Sequence, residues 1–395
     1  MKIRFFQILL SLSLCFTLSA GAVSLSDGDT LSGETYTASG DDESALDLGG
    51  SASASVSDAL IAKTGGNASS QDAASFRGLN AAVRVYDTAS LTLEGCTIEA
   101  TASNATGVFA YDGGEVVMKD CTVNVTGGGA GGVQVAGGGT LTGENLTVTS
   151  KSKAAIRSDR GGGTMILSGG TYTSTGTNGC PAIYSTADIT VSDAVCVSEA
   201  SRAVIIEGKN SVTLENCTLS GNDQSTKANS VKANVLLYQS ASGDASVGTS
   251  IFTMRGGSMT CLSGSMFYVT NTDSVISLED AALTLSEDGT LLICSAGRWG
   301  KDGRNGGNCT LNAASQTLEG TILVDSISSL DLHFTASTYT GAINPDQEGG
   351  QVALTMDQDS RWILTGDSFI SSFEGDLSCI EAGSYHLYVN GEMVL

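Results

Sequence analysis

The chain has 395 residues, and its 19 Lys and Arg against 42 Asp and Glu give a formal net charge of −23. So acidic a surface repels phosphate and argues against nucleic acid as a partner. A hydrophobic content of 41% argues against a disordered chain, 50 glycines without a Gly-X-Y period argue against collagen, and only 2 histidines argue against histidine-based catalysis or a His-rich metal site.

The N-terminus predicts a signal peptide over residues 1–22. Lys2 and Arg4 precede an almost unbroken apolar run at 5–18, and Ala20-Gly21-Ala22 has the A-x-A form of a cleavage site. The run is too short to span a membrane, and no later stretch reaches 18 apolar residues. An uncleaved anchor is the alternative. We expect an exported protein, secreted or at the cell surface, with no transmembrane segment in the mature chain.

The next feature is internal repetition. Cys96, Cys121, Leu146 and Cys217 occupy equivalent places in similar short segments, and their numbers differ by 25, 25 and 71 in turn. The last offset equals three units of about 24, and weaker copies fill it at 167–172 and 191–194.

Each repeat reads as three short strands with corners between them. In the first clear copy the strands are predicted at 91–93, 97–100 and 107–111, where apolar and polar residues alternate. Thr, Val and Ile favour strands, whereas Gly and Asn supply the positive φ angles of corners. This pattern predicts an all-β parallel solenoid of about 24–25 residues per coil, with roughly 11 or 12 coils between Asp27 and Gly320.

Two interruptions and a change of period follow. The offset from Cys217 to Gly257 is 40, which predicts a loop insertion near 221–248, and a Gly-rich segment at 298–307 is the second interruption. We therefore predict a β-helix with an N-terminal cap over 23–320. Over 321–395 we predict longer coils of about 30 residues and a cap, because an open sheet end must be covered. The closing strand is expected at 385–389.

The chain resembles right-handed parallel β-helix proteins of the pectate-lyase-like superfamily, in their adhesin-like bacterial branch. The residues that carry this resemblance are 182–185, 206–210, 237–240, 267–272, the 298–308 loop and 339–344. The segment 361–368 also resembles the final coils of autotransporter passenger domains, where it forms a stabilising end-cap. Only the segment 369–395 follows it, too short for an outer-membrane barrel, so a self-exporting autotransporter is not predicted. The resemblance implies a single-stranded β-helix far more strongly than an activity.

Searches for catalytic and metal-binding patterns give no site. Asn271-Thr272-Asp273 matches the first element of the polygalacturonase pattern, but the paired Asp, the Gly-His-Gly and the later Arg-x-Lys do not follow. No ordered cluster of carboxylates suggests the calcium site of a pectate lyase, and Asp41-Asp42-Glu43 reads as a solvated loop. The Gly strings at 127–132 and 161–163 read as corners rather than phosphate loops. We predict no catalytic residue, no metal ligand and no cofactor.

Nine cysteines follow the predicted signal peptide, without a C-x-x-C motif. Cys96 and Cys121 lie one coil apart, so their Cα atoms should be about 4.8 Å apart, within disulfide range although their side chains would run parallel. We favour buried thiols within an internal stack. A Cys96–Cys121 disulfide is the alternative.

The exposed candidate for ligand contact is the loop that carries Trp299. With Arg298, Arg304 and Asn305 beside it, Trp299 could stack on a sugar ring. The alternative is that the indole tucks under its own loop. The sequence favours a non-enzymatic, adhesin-like protein that binds glycans or a host or neighbouring cell surface weakly and multivalently. A polysaccharide lyase or hydrolase and a passive surface component remain alternatives.

Overall fold

The computed structural model describes residues 19–226, 230–347 and 349–395. The chain forms a right-handed parallel β-helix in which successive coils add one strand to each of three long parallel sheets. The predicted all-β solenoid is therefore confirmed. The chain visits sheet 1, sheet 2 and sheet 3 in that order and then begins the next coil. Most of the predicted signal peptide, residues 1–18, lies outside the described residues.

The strands of the described chain are as follows. Sheet 1 contains Ser19–Ala20, Thr35–Ala38, Leu60–Lys63, Thr97–Ala100, Thr122–Val125, Thr147–Ser150, Thr171–Thr177, Val195–Ala200, Thr218–Gly221, Ser258–Cys261 and Ala282–Thr284. Sheet 2 contains Val23–Ser24, Leu46–Leu48, Val83–Val85, Val108–Tyr111, Val133–Ala136, Ile156–Ser158, Ile183–Ser185, Val204–Glu207, Ala233–Tyr238, Ser265–Thr270, Thr290–Cys294 and Thr321–Val324. Sheet 3 contains Thr30–Ser32, Ser53–Ser57, Ser90–Glu94, Glu115–Lys119, Gly139–Glu144, Gly163–Ser168, Asp188–Ser192, Ser211–Glu215, Ser250–Arg255, Thr272–Glu279, Gly307–Ala314, Ser329–Thr335, Gln351–Met356 and Ser372–Glu374.

Two smaller sheets close the C-terminal end. Sheet 4 contains Thr317–Glu319, Thr338–Gly341, Arg361–Leu364 and Ile380–Glu381. Sheet 5 contains Ser368–Ile370, Leu387–Val389 and Glu392–Met393, and a 3₁₀ turn spans Leu377–Cys379.

Strand register confirms the repeat found in the sequence. Ile98 pairs with Val123 and Val123 with Val148, so these two coils reproduce the predicted offset of 25, and Thr218 pairs with Ser258 across the predicted offset of 40. The corners between sheets 3 and 1 have positive φ, at Asn145 (55°) and Asn216 (51°) for example. Asn tolerates this conformation because its short polar side chain bonds locally.

The interior is a set of apolar stacks. On the sheet 2 side Val108, Val133, Ile156, Ile183 and Val204 follow one another in register and are fully buried. The alternating side chains of sheets 1 and 3 face outward and form mostly polar rows, such as Thr142, Thr190, Thr213 and Thr253 on sheet 3, with the exposed Ile166 between the first two. Burial of the inward rows supplies the hydrophobic stabilisation of every coil.

Sheet 2 differs because much of its outer face is covered as well. Strands Val133–Ala136, Val204–Glu207, Ala233–Tyr238 and Ser265–Thr270 are buried at every residue. Part of the cover is a short helix, Gln71–Arg77, capped by Ser70 and by Gly78 in the left-handed conformation. The sequence analysis missed this helix because two turns are too short to show a 3.6-residue period.

The predicted insertion near 221–248 is divided by a strand. Its described residues outside the strand lie both before and after Ala233–Tyr238, whereas a single loop was expected. The strand is retained because its inward residues continue two apolar stacks. Val235 lies between Val204 and Phe267, and Leu237 lies in the same way between Ile206 and Val269.

The C-terminal coils are shorter than predicted. Asn312 pairs with His333, His333 with Thr355 and Thr355 with Glu374, and these offsets of 21, 22 and 19 all fall below the longer period that was expected. Sheet 2 ends at Thr321–Val324, and its place in the following coils is taken first by a single bridge of Ile322 with Ile343 and then by the short strands of sheet 5.

The end-cap lies where it was expected. Leu387–Val389 is the closing strand, and an antiparallel pairing of Tyr388 with Met393 ends the parallel stack. Phe369 and Tyr388 stack there with ring centroids 4.5 Å apart. None of the helices in the described chain has the length and apolar character needed to cross a membrane.

Candidate functional site

The covered outer face of sheet 2 in the described chain carries polar, charged and aromatic side chains close to one another. Register places one outward row of side chains one above another, with polar, charged and aromatic residues at equivalent positions. In order the row is Phe109, Gln134, Arg157, Tyr184, Ile205, Leu236 and Tyr268.

The first part of the row is a closed polar network. Arg157 forms an ion pair with Asp159 at 2.7 Å, and its guanidinium lies 4.6 Å from the ring centroid of Tyr184. Gln134 donates from Nε2 to Asp159 at 3.3 Å and to the carbonyl of Ser75 in the helix at 2.8 Å. These contacts satisfy buried charges and hold the helix against the sheet.

Glu207 is the centre of the next part. Its side chain is 1% exposed, and its carboxylate accepts hydrogen bonds from the hydroxyls of Tyr184, Tyr238 and Ser240. Burial is the largest cause of the raised pKa values of Tyr184 and Tyr238, so both phenols stay protonated as donors. Because three hydroxyls donate to its carboxylate, Glu207 holds the second insertion loop in place and does not face an open space.

Beyond Glu207 the face opens into a cleft of about 90 Å³, hereafter the aromatic cleft. The Trp299 and Tyr238 ring centroids are 4.4 Å apart at an interplanar angle of 47°, and the Arg298 guanidinium lies 4.2 Å from the Trp299 ring. The cleft is lined by Asn178, Gly179, Tyr184, Arg202, Ile205, Ser225, Ser230, Leu236, Tyr238, Arg298 and Trp299. None of these lining residues of the described chain carries a carboxylate.

The cleft is locally more basic than the rest of the molecule. Arg202 Nε lies 3.1 Å from Asp223, with the two side chains 8% and 1% exposed, so this pair is neutral and buried. Burial lowers the pKa of Arg202, Asp223 raises it, and the positive charge of Arg298 lowers it further. Arg298 itself is exposed. The aromatic cleft therefore presents one exposed cation beside two aromatic rings.

The structure separates the four residues predicted to contact a ligand. Trp299 and Arg298 lie together in the aromatic cleft. Asn305 is 2% exposed and donates from Nδ2 to the carbonyls of Gly297 and Trp299 at 2.8 and 2.9 Å, so it braces the loop from behind. Arg304 lines a neighbouring cleft of about 220 Å³.

That neighbouring cleft contains Asp273, the acid of the Asn-Thr-Asp match. Its carboxylate accepts a hydrogen bond from Asn308 Nδ2 at 2.9 Å. The carboxylate of Asp273 is the only one that lines this cleft among the described residues. Throughout the described ranges, no group of three or more His, Cys, Asp or Glu is arranged to hold a metal ion.

Sequence reasoning missed Tyr238, Arg202 and Glu207. Tyr238 and Glu207 stand at the ends of apolar strands and read as edge residues of the core. Arg202 precedes a strand without any motif around it. No sequence motif marks any of the three residues. The register of sheet 2 pairs Glu207 with Tyr238, and the folded chain brings Arg202 to the aromatic cleft.

The cysteines all belong to the interior. Those of the described chain are buried, and Cys96 and Cys121 are separate thiols one coil apart. The hydrogen bond between these two thiols lowers the pKa of Cys96 and raises that of Cys121. A disulfide between them stays a prediction that non-reducing mass spectrometry would test.

Comparison with known proteins supports the architecture. Residues 18–171 match the profile of the family described as "Right handed beta helix region", about two fifths of the chain. No curated protein sequence matches the chain significantly, and no solved structure does so.

Proposed function

We propose that the protein is exported through the N-terminal signal at 1–22 and acts outside the cell as a non-enzymatic, adhesin-like β-helix. The observation that supports this proposal is the aromatic cleft, where Tyr238 and Trp299 lie beside the exposed Arg298 and no carboxylate lines the surface. The ligand class it fits is a glycan.

Aromatic rings bind sugars because the C–H faces of a pyranose pack against them, while charged and amide groups bond the hydroxyls. Arg298 can leave its position over Trp299 at small cost, since an exposed cation–π contact contributes only about 0.5–1 kcal/mol. Displacing the guanidinium would free a ring surface for the sugar and leave the cation within reach of its hydroxyls. Trp299 and Arg298 are the proposed contact residues, while Asn305 positions the loop.

The size of the cleft indicates weak binding. A volume of about 90 Å³ admits part of one sugar unit and encloses no large ligand. Useful attachment would then need several contacts at once, because each contact after the first forms at the high effective concentration that the earlier contacts set. The outward polar rows of sheets 1 and 3 offer further surface for such contacts, with Thr97, Thr122, Thr147 and Thr171 in successive coils of sheet 1.

The alternatives are a polysaccharide lyase or hydrolase and a passive surface component. A glycoside hydrolase presents two carboxyl groups about 5–10 Å apart across the scissile bond. Asp223 is tied to Arg202 beside the aromatic cleft, and Asp273 lines its own cleft as a single acid. These placements favour binding over hydrolysis.

The test is glycan-array binding by residues 23–395, displayed both as single molecules and on multivalent beads, with and without Ca²⁺. Product release from the bound polysaccharides is assayed in parallel. We expect bead binding that does not need Ca²⁺, that falls at least tenfold in Trp299→Ala and that is retained in Trp299→Phe. Tyr385→Ala is the matched control, because Tyr385 is an exposed aromatic in the end-cap.

Soluble oligosaccharide products would overturn the non-enzymatic proposal and direct attention to Asp273. Binding that survives Trp299→Ala would move the site away from the aromatic cleft. Binding to no glycan would favour the passive structural role. Circular dichroism of each variant checks that loss of the Trp299–Tyr238 contact has not unfolded the coil.

A further inference from the structure

The first coil contains an acidic cleft beside the predicted cleavage site. This cleft has a volume of about 290 Å³ and is lined by Ala22, Val23, Ser24, Asp42, Glu43, Ser44, Asp47 and Arg84. Three lining carboxylates face one guanidinium there, and the buried Lys63 ammonium behind them interacts with Glu43 and Asp42, so the cleft keeps an excess of one negative charge. The aromatic cleft shares none of its lining residues.

The carboxylates are held in place with acceptor capacity to spare. Asp42 accepts from the Ser69 amide through Oδ1 at 2.7 Å, and Glu43 accepts from the Gly40 amide through Oε2 at 2.8 Å. Within the described part of the chain, the second oxygen of each carboxylate has no donor. The loop amides therefore fix both carboxylates and leave one oxygen of each able to accept another hydrogen bond.

Two further groups of the cleft lack full compensation. Ser44 lines the cleft and is 6% exposed, and its buried hydroxyl has no hydrogen-bond partner among the described residues. Asp47 lies 3.4 Å from Arg84, yet burial outweighs that cation and raises the pKa of the Asp47 carboxyl. A buried polar group without a partner and an incompletely compensated carboxylate are both costly.

Val23 is held at the edge of this cleft by the β-helix itself. Its amide donates to the Ala45 carbonyl at 3.0 Å, and register pairs it with Leu46 and Ser24 with Asp47. Gly21 and Ala22, just before it, are exposed and outside any strand. Cutting the Ala22–Val23 peptide bond would therefore leave Val23 in place and convert its amide into an ammonium group.

We propose that the acidic cleft is the docking site for the α-ammonium group of Val23, created when the chain is processed after Ala22. The ammonium keeps its bond to the Ala45 carbonyl and offers its two other protons to the Ser44 hydroxyl and to the second oxygen of Glu43, while Asp42 adds negative charge beside it. Export thereby completes the first coil, whose strand Val23–Ser24 is only two residues long. This inference rests on the exported state in the proposed function but not on glycan binding.

The first arm tests processing. The full chain is exported from a bacterial host, and the N-terminus of the released protein is sequenced. Val-Ser-Leu is the expected start. Any other start overturns the proposed processing site, whatever the outcome of the glycan assays.

The second arm tests docking independently of export. Protein that begins at Val23, released from an N-terminal fusion by a protease, is compared with protein that begins at Gly21, whose ammonium is two residues farther out. Asp42, Glu43, Asp47 and Arg84 face the terminus, with Lys63 behind Glu43 and Tyr86 behind Asp47 at 3.3 Å. The readout is the rate of acylation of the α-amine at pH 7, relative to that of lysines in the same sample.

We expect acylation at Val23 to be at least tenfold slower than at Gly21, because a docked ammonium holds its proton. Glu43→Gln should remove most of the difference in the Val23 protein and change nothing in the Gly21 protein. Glu144→Gln is the matched control, since Glu144 is an exposed acid of sheet 3 far along the helix. Equal rates for the two termini, or equal effects of Glu43→Gln in both proteins, would overturn the docking proposal.

Discussion

Trp362 gives the sharpest test of how coils support one another. Its side chain is fully buried, its indole N–H donates to the Gly341 carbonyl at 3.0 Å, and it stacks on Tyr339 with ring centroids 5.8 Å apart. Replacing it with Ala removes a large core side chain and should cost about 3–5 kcal/mol. Trp362→Phe keeps most of the volume but leaves the Gly341 carbonyl without its donor, a cost of about 1–3 kcal/mol.

The two-state assumption is unsafe for a solenoid, because each coil contacts only its neighbours. Amide hydrogen exchange is therefore the suitable assay. In Trp362→Ala, exchange in the adjoining strands Thr338–Gly341 and Ile380–Glu381 should become about two to nearly four orders of magnitude faster. Exchange in Thr97–Ala100, many coils away, should be unchanged.

Tyr385→Ala serves as the control, since this residue of the same end-cap is 40% exposed and should give little change. Uniformly faster exchange along the chain in Trp362→Ala would refute the nearest-neighbour reasoning. Unchanged exchange in the adjoining strands would show that the indole does not stabilise the end coils.

Three further predictions concern other parts of the β-helix. Gly127→Ala should destabilise its coil by about 1–3 kcal/mol, measured as faster amide hydrogen exchange in Thr122–Val125, because the new Cβ would lie 1.9 Å from the Ala102 carbonyl oxygen, whereas Gly128→Ala meets nothing within 4 Å and should be neutral or slightly stabilising. Asp223→Asn should cost about 3–5 kcal/mol by leaving the buried Arg202 guanidinium without its carboxylate, measured by amide hydrogen exchange in Thr218–Gly221, and a loss below about 1 kcal/mol would contradict this account. Burial lowers the pKa of Lys153 to about 8, so the unfolded chain binds more protons between pH 8 and 10 and stability should rise with pH over that window. The rise should be absent in Lys153→Met, and an equal rise in both proteins would assign it to another group.

The fold could be predicted from the sequence because the sequence repeats. Cys96, Cys121 and Leu146 are equivalent because strands that stack at about 4.8 Å place like residues above one another, so a period in sequence is a period in space. Asn145 and Asn216 marked corners for the same reason. The helix at 71–77 was missed because it occurs once, and a unique element has no second copy to reveal it.

The candidate site was harder to predict from the sequence because its residues lie in segments that interrupt the repeat. Trp299 was noticed as an aromatic residue in a Gly-rich loop, but its partner Tyr238 belongs to a strand much earlier in the chain. The two meet only because the insertion around 221–248 divides into loops on both sides of Ala233–Tyr238, and no periodicity predicts where an insertion folds back. The shorter C-terminal coils were mispredicted although Pro345, Gly349 and Gly350 mark the end of sheet 2 just after the bridging residue Ile343, because these breakers occur once and give no period.

The direction of the hydrogen bonds has a mechanical consequence. Bonds between neighbouring coils run along the long axis, whereas the covalent chain runs around it. A pull along the axis therefore places the same force on every coil interface, the weakest interface should open first, and the structure should yield stepwise instead of breaking at once. Each coil that opens replaces a rise of about 4.8 Å by about 80 Å of extended chain. A protein that holds two surfaces together could in this way lengthen under tension, absorb work and rewind when the load falls.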